Sequence, residues 1–161
     1  MPEPVVFNLK SLQLNEIMAR DPVTLDSERT VREAALAMDR SDIGCVLVTS
    51  MLDGKEKVVG IVTERDLVRR VLTKAGQISD LRVKDIMSSP LIVVDPGATI
   101  VEAASVMERN RVRRLPVVDQ ERLVGVVTVS DLAKALAKQL EYSDPVLNAM
   151  ARVSAPEGMY A

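Results

Sequence analysis

Two Thr-x-x-Asp pairs are the residues of this sequence whose types and spacing could do chemistry. Thr63 and Asp66 follow the largely apolar run 58–62, and Thr128 and Asp131 follow the matching run 123–127, 65 residues later. A helix that begins where a strand ends directs its first amide groups outwards, where they favour an anion. The hydroxyl can donate to a phosphate, and the carboxylate can accept from both hydroxyls of a ribose. Each pair therefore suits a ribonucleoside phosphate.

A helix cap is the competing interpretation of the same residues. The threonine side chain would bond the first amides of the helix, and the aspartate would stabilise the positive end of its dipole. For a single isolated pair the cap is the more common outcome. Both roles are compatible in a ligand-free protein.

The composition narrows the function classes. Hydrophobic residues make up 47% of the 161 residues, aromatic residues only 2%, and the net charge is −2. With no histidine, the chain lacks the commonest general base and metal ligand, so neither an enzyme nor a metal site is predicted. No apolar run reaches the roughly 18 residues of a membrane span, and no secretory signal is recognised. With Cys45 as the single cysteine, these features predict a cytoplasmic protein without a disulfide.

The elements that position the two pairs are themselves repeated. Thr30-Val-Arg-Glu33 and Thr99-Ile-Val-Glu102 have the form of capping boxes before amphipathic helices. The pattern predicts an α/β (α+β) fold of two pseudo-symmetric β-α-β-β-α units, packed sheet to sheet around one shared core. The predicted organisation is a lead-in at 1–13, a first unit at 14–75, a linker at 76–82, a second unit at 83–138 and a tail at 139–161.

These motifs resemble a tandem cystathionine-beta-synthase (CBS) domain pair, also called a Bateman module. The resemblance covers residues 14–138, and with no other domain beside it we expect a stand-alone module. It is carried by Ile17-Met18 and Ile86-Met87, Thr30-Val-x-Glu-Ala-Ala and Thr99-Ile-x-Glu-Ala-Ala, Arg114-Leu-Pro-Val-Val-Asp119, Gly60-Ile-Val-Thr-x-x-Asp66 and Gly125-Val-Val-Thr-x-x-Asp131.

The resemblance implies adenosine nucleotides as ligands and two clefts, each built from both units. The first cleft would be lined by Thr63, Arg65, Asp66, Val83, Met87, Arg113, Arg114 and Pro116. The second cleft would be lined by Leu14, Met18, Gly44, Cys45, Val46, Thr128, Ser130 and Asp131. Met18 and Met87 would border an adenine slot or serve as ordinary core.

The two predicted clefts differ in charge. Arg113 and Arg114 occupy the positions that correspond to Gly44 and Cys45, at an offset of 69 residues. Because a guanidinium makes charge-assisted, often bidentate bonds to phosphate, we expect the first cleft to bind AMP, ADP or ATP and the second to bind more weakly. The alternative for the arginines is a solvated basic face. Arg113 stands where family members often have histidine, which leaves the number of bound phosphates open.

The sequence thus predicts a regulatory module that binds an adenosine nucleotide and changes shape or rigidity to signal to an unidentified protein partner. S-adenosylmethionine is an alternative ligand, and no cofactor is predicted. A constitutive interaction scaffold with vestigial clefts is the competing function. The resemblance also implies a homodimer. Neither a membrane nor a nucleic acid is an expected partner, since the basic patch spans only residues 111–114 and few aromatic residues are present to stack on bases.

Overall fold

The computed structural model describes residues 11–73 and 78–139. Residues 1–10 of the predicted lead-in, 74–77 where the predicted first unit meets the linker and 140–161 of the tail lie outside this range. No helix in the described ranges has the length and apolar character of a membrane crossing. The strands are β1 (Ala19–Arg20), β2 (Thr24–Asp26), β3 (Cys45–Leu52), β4 (Lys55–Thr63), β5 (Arg114–Asp119) and β6 (Arg122–Thr128). The α-helices are α1 (Val31–Ser41), α2 (Glu64–Asp66), α3 (Val83–Ile86), α4 (Ile100–Asn110) and α5 (Val129–Gln139), with 3-10 turns at Leu14–Glu16 and Ile78–Asp80.

The two long central helices begin at the predicted capping boxes. Thr30 accepts a bond from the Glu33 amide at the start of α1, and the Glu33 carboxylate accepts from the Thr30 amide. Thr99 and Glu102 repeat both bonds at the start of α4. Each helix then buries apolar residues at helical spacing, so the prediction of paired amphipathic helices is confirmed.

Within the described part of the chain, six strands form two three-stranded sheets. In the first sheet β2 runs parallel to β3, and β3 pairs antiparallel with β4. In the second sheet β6 lies between β1 and β5 and is antiparallel to both. Strands β4 and β6 contact each other across the boundary between the sheets, and Lys57 of β4 forms a 3.0 Å ion pair with Glu121 of the β5–β6 turn. The predicted mixed α/β architecture of two packed units is confirmed.

The short segment that opens each unit packs into the other unit. Residues 14–18, here called the first lead, place Leu14 and Met18 in the core formed by α4, β5 and β6. Residues 83–87, the second lead, place Val83 and Ile86 in the core formed by α1, β3 and β4. The prediction of a single shared core is therefore wrong. The described residues form two cores, and each one is completed by a lead from the opposite unit.

One predicted strand is reduced to a single bridge. The repeat pattern predicts a strand at residues 90–94, which correspond to the extended segment 22–25, yet only Val94 pairs, in parallel with Val117. In the first sheet the Leu47 amide donates to the Val23 carbonyl beside β2. The residue 69 positions after Leu47 is Pro116, which has no N–H to donate, so the corresponding bond cannot form.

The helices that follow the two Thr-x-x-Asp pairs also differ. In the second unit α5 is a regular α-helix of 11 residues. In the first unit α2 passes after Asp66 into a π-helical segment, Leu67–Leu72. Val71 of this segment is buried, whereas Val68 and Leu72 are 53% and 68% exposed. The apolar periodicity predicted a helix here but gave no sign of its π form.

Candidate functional site

Thr63 and Asp66 form a closed hydrogen-bonded pair where β4 ends. The Thr63 hydroxyl donates to Asp66 Oδ2 at 2.9 Å, and the Thr63 amide donates to the same oxygen at 2.9 Å. The Asp66 amide donates back to Thr63 Oγ1 at 3.2 Å. Because a hydroxyl has one proton, Thr63 donates it to Asp66 in this state. The predicted cap is therefore formed in the structure.

Thr128 and Asp131 repeat this pair at the end of β6. The Thr128 hydroxyl and amide both donate to Asp131 Oδ2 at 2.8 Å, and the Asp131 amide donates to Thr128 Oγ1 at 3.2 Å. Between the paired residues, Arg65 is exposed and Ser130 is half-buried. The bonding is the same as in the Thr-x-x-Glu boxes of α1 and α4. The two Thr-x-x-Asp pairs therefore differ from the Thr-x-x-Glu boxes in their position at the end of a strand and not in their hydrogen bonds.

The strand ends that carry the two pairs meet near the boundary of the units. In the first sheet the Glu64 amide donates to the Gly44 carbonyl at 3.1 Å, and Cys45 is the cross-strand partner of Thr63. In the second sheet the Val129 amide donates to the Arg113 carbonyl at 2.9 Å. The equivalent loop-to-helix bond is thus made in both units.

Arg114 connects the two strand ends. It is the cross-strand partner of Thr128, but its Nη1 donates to the Gly44 carbonyl of the other unit at 2.9 Å. That carbonyl also accepts the Glu64 amide, so the guanidinium lies beside the first turn of α2. The structure therefore brings Arg114 to the Thr63 side of the boundary, and also against Gly44 and Cys45, which the sequence assigned to the second cleft. Arg113 is exposed.

Each lead lies against the strand that ends in a Thr-x-x-Asp pair. Met87 covers Gly60 of β4, and the neighbouring Ser88 forms a bridge with Ile61. Met18 covers Gly125 of β6, and β1 pairs with the same strand at Gly125 and Val126. The structure thus brings Met87 to the Thr63 strand and Met18 to the Thr128 strand, as the predicted clefts require.

Four of the predicted contact residues have fully buried side chains. They present no open side-chain surface in the structure, so any contact they make with a ligand in this conformation would be through the backbone. These residues are Leu14, Val46, Val83 and Pro116.

Burial controls the chemistry of Cys45. It raises the pKa of the Cys45 thiol above its usual range, while the neighbouring Arg114 guanidinium works in the opposite direction. The thiol therefore stays protonated near neutral pH, and the thiolate that reacts with electrophiles is scarce.

Slow alkylation of Cys45 is the expected result. Near pH 8.5, about the ordinary thiol pKa, iodoacetamide should modify the native protein more slowly than the urea-unfolded chain. The native rate should also rise at a higher pH than the unfolded rate. Because Cys45 is the single cysteine, mass spectrometry reads this site alone, and equal rates in the two states would contradict the prediction.

The structure adds one residue that the sequence interpretation did not select. Arg70 places its Nε 3.5 Å from Asp66 Oδ1. A signal was present in the sequence, because an acidic and a basic residue four positions apart on a helix face each other.

The repeated sheets, the exchanged leads and the paired strand ends define a class of protein. It is a tandem-repeat module with two pseudo-equivalent Thr-x-x-Asp strand ends near the boundary of its units. The family model for the CBS domain matches residues 14–73 and 83–138. The chain belongs to the CBS domain family, as a tandem pair.

Curated relatives and solved structures agree with this assignment. The chain is 34% identical over 125 residues to the uncharacterized protein MK0525 of Methanopyrus kandleri, a match covering 77% of this chain and 62% of that protein. It is 31% identical over 120 residues to the CBS domain-containing protein YhcV of Bacillus subtilis, covering 74% and 82%. The structure of a hexameric CBS-CP12 protein from bloom-forming cyanobacteria superposes with a TM-score of 0.69 at 30% identity, covering 91% of this chain and 77% of that one.

Proposed function

We propose that this CBS pair is a non-catalytic regulatory module whose first cleft binds AMP, ADP or ATP and whose second cleft binds adenosine compounds more weakly. The observation that carries the proposal is the path of Arg114. Its guanidinium crosses the boundary and shares the Gly44 carbonyl with the first turn of α2. A cation and the amino end of a helix thus converge beside Thr63, a combination that favours a phosphate.

The other groups of the first cleft suit the rest of a nucleotide. Asp66 is half-buried and carries acceptor oxygens for a ribose diol. Half-buried Met87 offers apolar surface for adenine near the same strand. On binding, the Thr63 hydroxyl would redirect its proton from Asp66 to a phosphate oxygen, while its backbone amide keeps the carboxylate in place.

The exchanged leads give a physical route from binding to signalling. A ligand held by Asp66, Met87 and Arg114 would contact both units. It would connect the end of β4, the second lead and the start of β5. Such a ligand favours the arrangement of the units that it fits best, and a partner protein that prefers this arrangement would respond.

Self-association belongs to the same proposal. The π-helical segment exposes Val68 and Leu72, and exposed apolar side chains on a helix are suited to pairing with a second copy. The structurally similar CBS-CP12 protein is hexameric. We propose a homodimer of this chain as the smallest assembly.

A thermal-shift panel followed by calorimetry tests the proposal. Adenosine, AMP, ADP, ATP and S-adenosylmethionine would be compared. A ligand at about 100 times its Kd adds about 2.7 kcal/mol of stability, which raises Tm by roughly 5–10 °C for a chain of this size. S-adenosylmethionine is the alternative ligand because it shares the adenosine group.

Alanine replacement of each aspartate tests the asymmetry of the clefts. Asp66→Ala should abolish most AMP binding measured by calorimetry, whereas Asp131→Ala should leave the stronger site intact. The two variants are matched controls, because each removes one carboxylate from an identical Thr-x-x-Asp cap. Equal loss of binding in both variants would rule out unequal clefts.

A constitutive interaction scaffold is the second candidate function. The observation in its favour is that both Thr-x-x-Asp pairs are satisfied internally. Among the described residues, no buried side-chain nitrogen or oxygen lacks a hydrogen-bond partner, so no such group requires a ligand. If none of the five adenosine compounds shifts Tm, the scaffold becomes the better description.

A further inference from the structure

Arg70 connects two parts of the first cleft, and this role rests on the proposed function above. Its Nε lies 3.5 Å from Asp66 Oδ1, and its Nη1 donates to the Ile86 carbonyl at 2.5 Å. Ile86 ends α3 in the second lead and is followed by Met87. One guanidinium thus contacts the carboxylate proposed for the ribose and the backbone next to the proposed adenine contact.

The two oxygens of Asp66 have different partners. Oδ2 accepts both bonds from Thr63, whereas Oδ1 faces Arg70. The Asp66 side chain is 14% exposed and the Arg70 side chain 42% exposed, so the pair is partly shielded from solvent. With Oδ2 held by Thr63 and Oδ1 by Arg70, the plane of the carboxylate is fixed before any ligand arrives.

The second cleft lacks this arrangement. The residue 65 positions after Arg70 is Ala135, which is 8% exposed on the regular helix α5. Asp131 makes the same two bonds to Thr128, but no ion pair to Asp131 is found among residues 11–73 and 78–139. Arg70 lies in the π-helical segment Leu67–Leu72 of the first unit. Its guanidinium has no counterpart at the corresponding position of the second unit.

We propose that Arg70 is a positioning residue of the first cleft, which orients Asp66 towards a ribose diol and fixes the second lead beside it. Preorganising a binding group lowers the loss of conformational freedom on association. Because the ribose and adenine are common to all adenosine compounds, Arg70 acts on all of them alike. Arg113 and Arg114 differ in this respect, since their proposed partner is the phosphate.

The test compares Arg70→Ala with Arg69→Ala by calorimetry, using AMP and adenosine as probes. Arg69 is an exposed arginine on the same helical segment, so the control removes the same charge. Arg70→Ala should weaken both probes by a similar factor, roughly threefold to fivefold, which is the upper part of the range for a partly exposed ion pair. Arg69→Ala should leave both affinities within about twofold.

Two further measurements separate positioning from simple stabilisation. A purely structural role would lower the Tm of the ligand-free variant without changing its affinities. Arg70→Lys keeps the charge but loses the planar fork that reaches both Asp66 Oδ1 and the Ile86 carbonyl oxygen, so it should restore Tm more fully than affinity. Unchanged affinity in Arg70→Ala would overturn the inference, and so would a loss confined to AMP. Absence of binding by the unmodified protein would instead refute the proposed function itself.

Discussion

Replacing both Arg113 and Arg114 by alanine is expected to weaken AMP binding by roughly two to four orders of magnitude. A hydrogen bond to a charged group is worth about 1.5–3 kcal/mol, so two such bonds amount to about 3–6 kcal/mol, and each 1.4 kcal/mol is a factor of ten. Adenosine, which has no phosphate, should lose much less. Calorimetry with both ligands measures the difference directly.

A charge-matched variant completes this experiment. Arg109→Ala with Arg122→Ala removes two exposed arginines at the end of α4 and the start of β6. If the basic residues act only as a solvated face, both double variants should weaken AMP equally. If Arg113 and Arg114 bind the phosphate, the control should bind AMP nearly as well as the unmodified protein.

Gly125→Ala is expected to lower the stability of the fold by about 2–3 kcal/mol, the upper range for overpacking in a close-packed site. A methyl group on Gly125 would lie 2.6 Å from Met18 Sδ and 2.8 Å from the Ala19 carbonyl oxygen. The carbonyl belongs to β1, which pairs with β6 at this residue, so it cannot move without opening the strand pair. Thermal unfolding should show a decrease in Tm of roughly 5–10 °C.

Gly60→Ala is the matched control for this variant. Its methyl group would overlap Met87 Sδ, and its other near neighbours also belong to the Met87 side chain. Because a methionine side chain can change rotamer, the decrease in Tm should be clearly smaller. Equal decreases would mean that the Ala19 carbonyl is not the limiting contact.

Much of this fold is readable from the sequence because local rules determine it. The capping boxes at Thr30 and Thr99 place the starts of two helices, and the Asp53-Gly54 turn separates β3 from β4 at positive φ. The repeat offsets also predict which positions correspond in the two units. These signals depend on a few neighbouring residues, so they can be recognised without knowledge of the packing.

Features that depend on distant parts of the chain were harder to predict. The missing strand beside β5 follows from one absent N–H at Pro116, and its effect appears only once the parallel partner is known. Arg70 acquires a role only when α3 brings the Ile86 carbonyl to it. The Asp–Arg spacing is visible in the sequence, but the Ile86 carbonyl lies 16 residues further along the chain than Arg70.

The exchange of leads makes the core of each unit depend on the other unit. A chain containing a single unit would lack the segment that completes its core, and a second copy could supply it by domain swapping. Joining both units in one polypeptide turns that association into an intramolecular step, with an effective concentration in about the millimolar range for a short connection. The internal pseudo-dimer therefore forms independently of the protein concentration, and each chain supplies both leads to its own two cores.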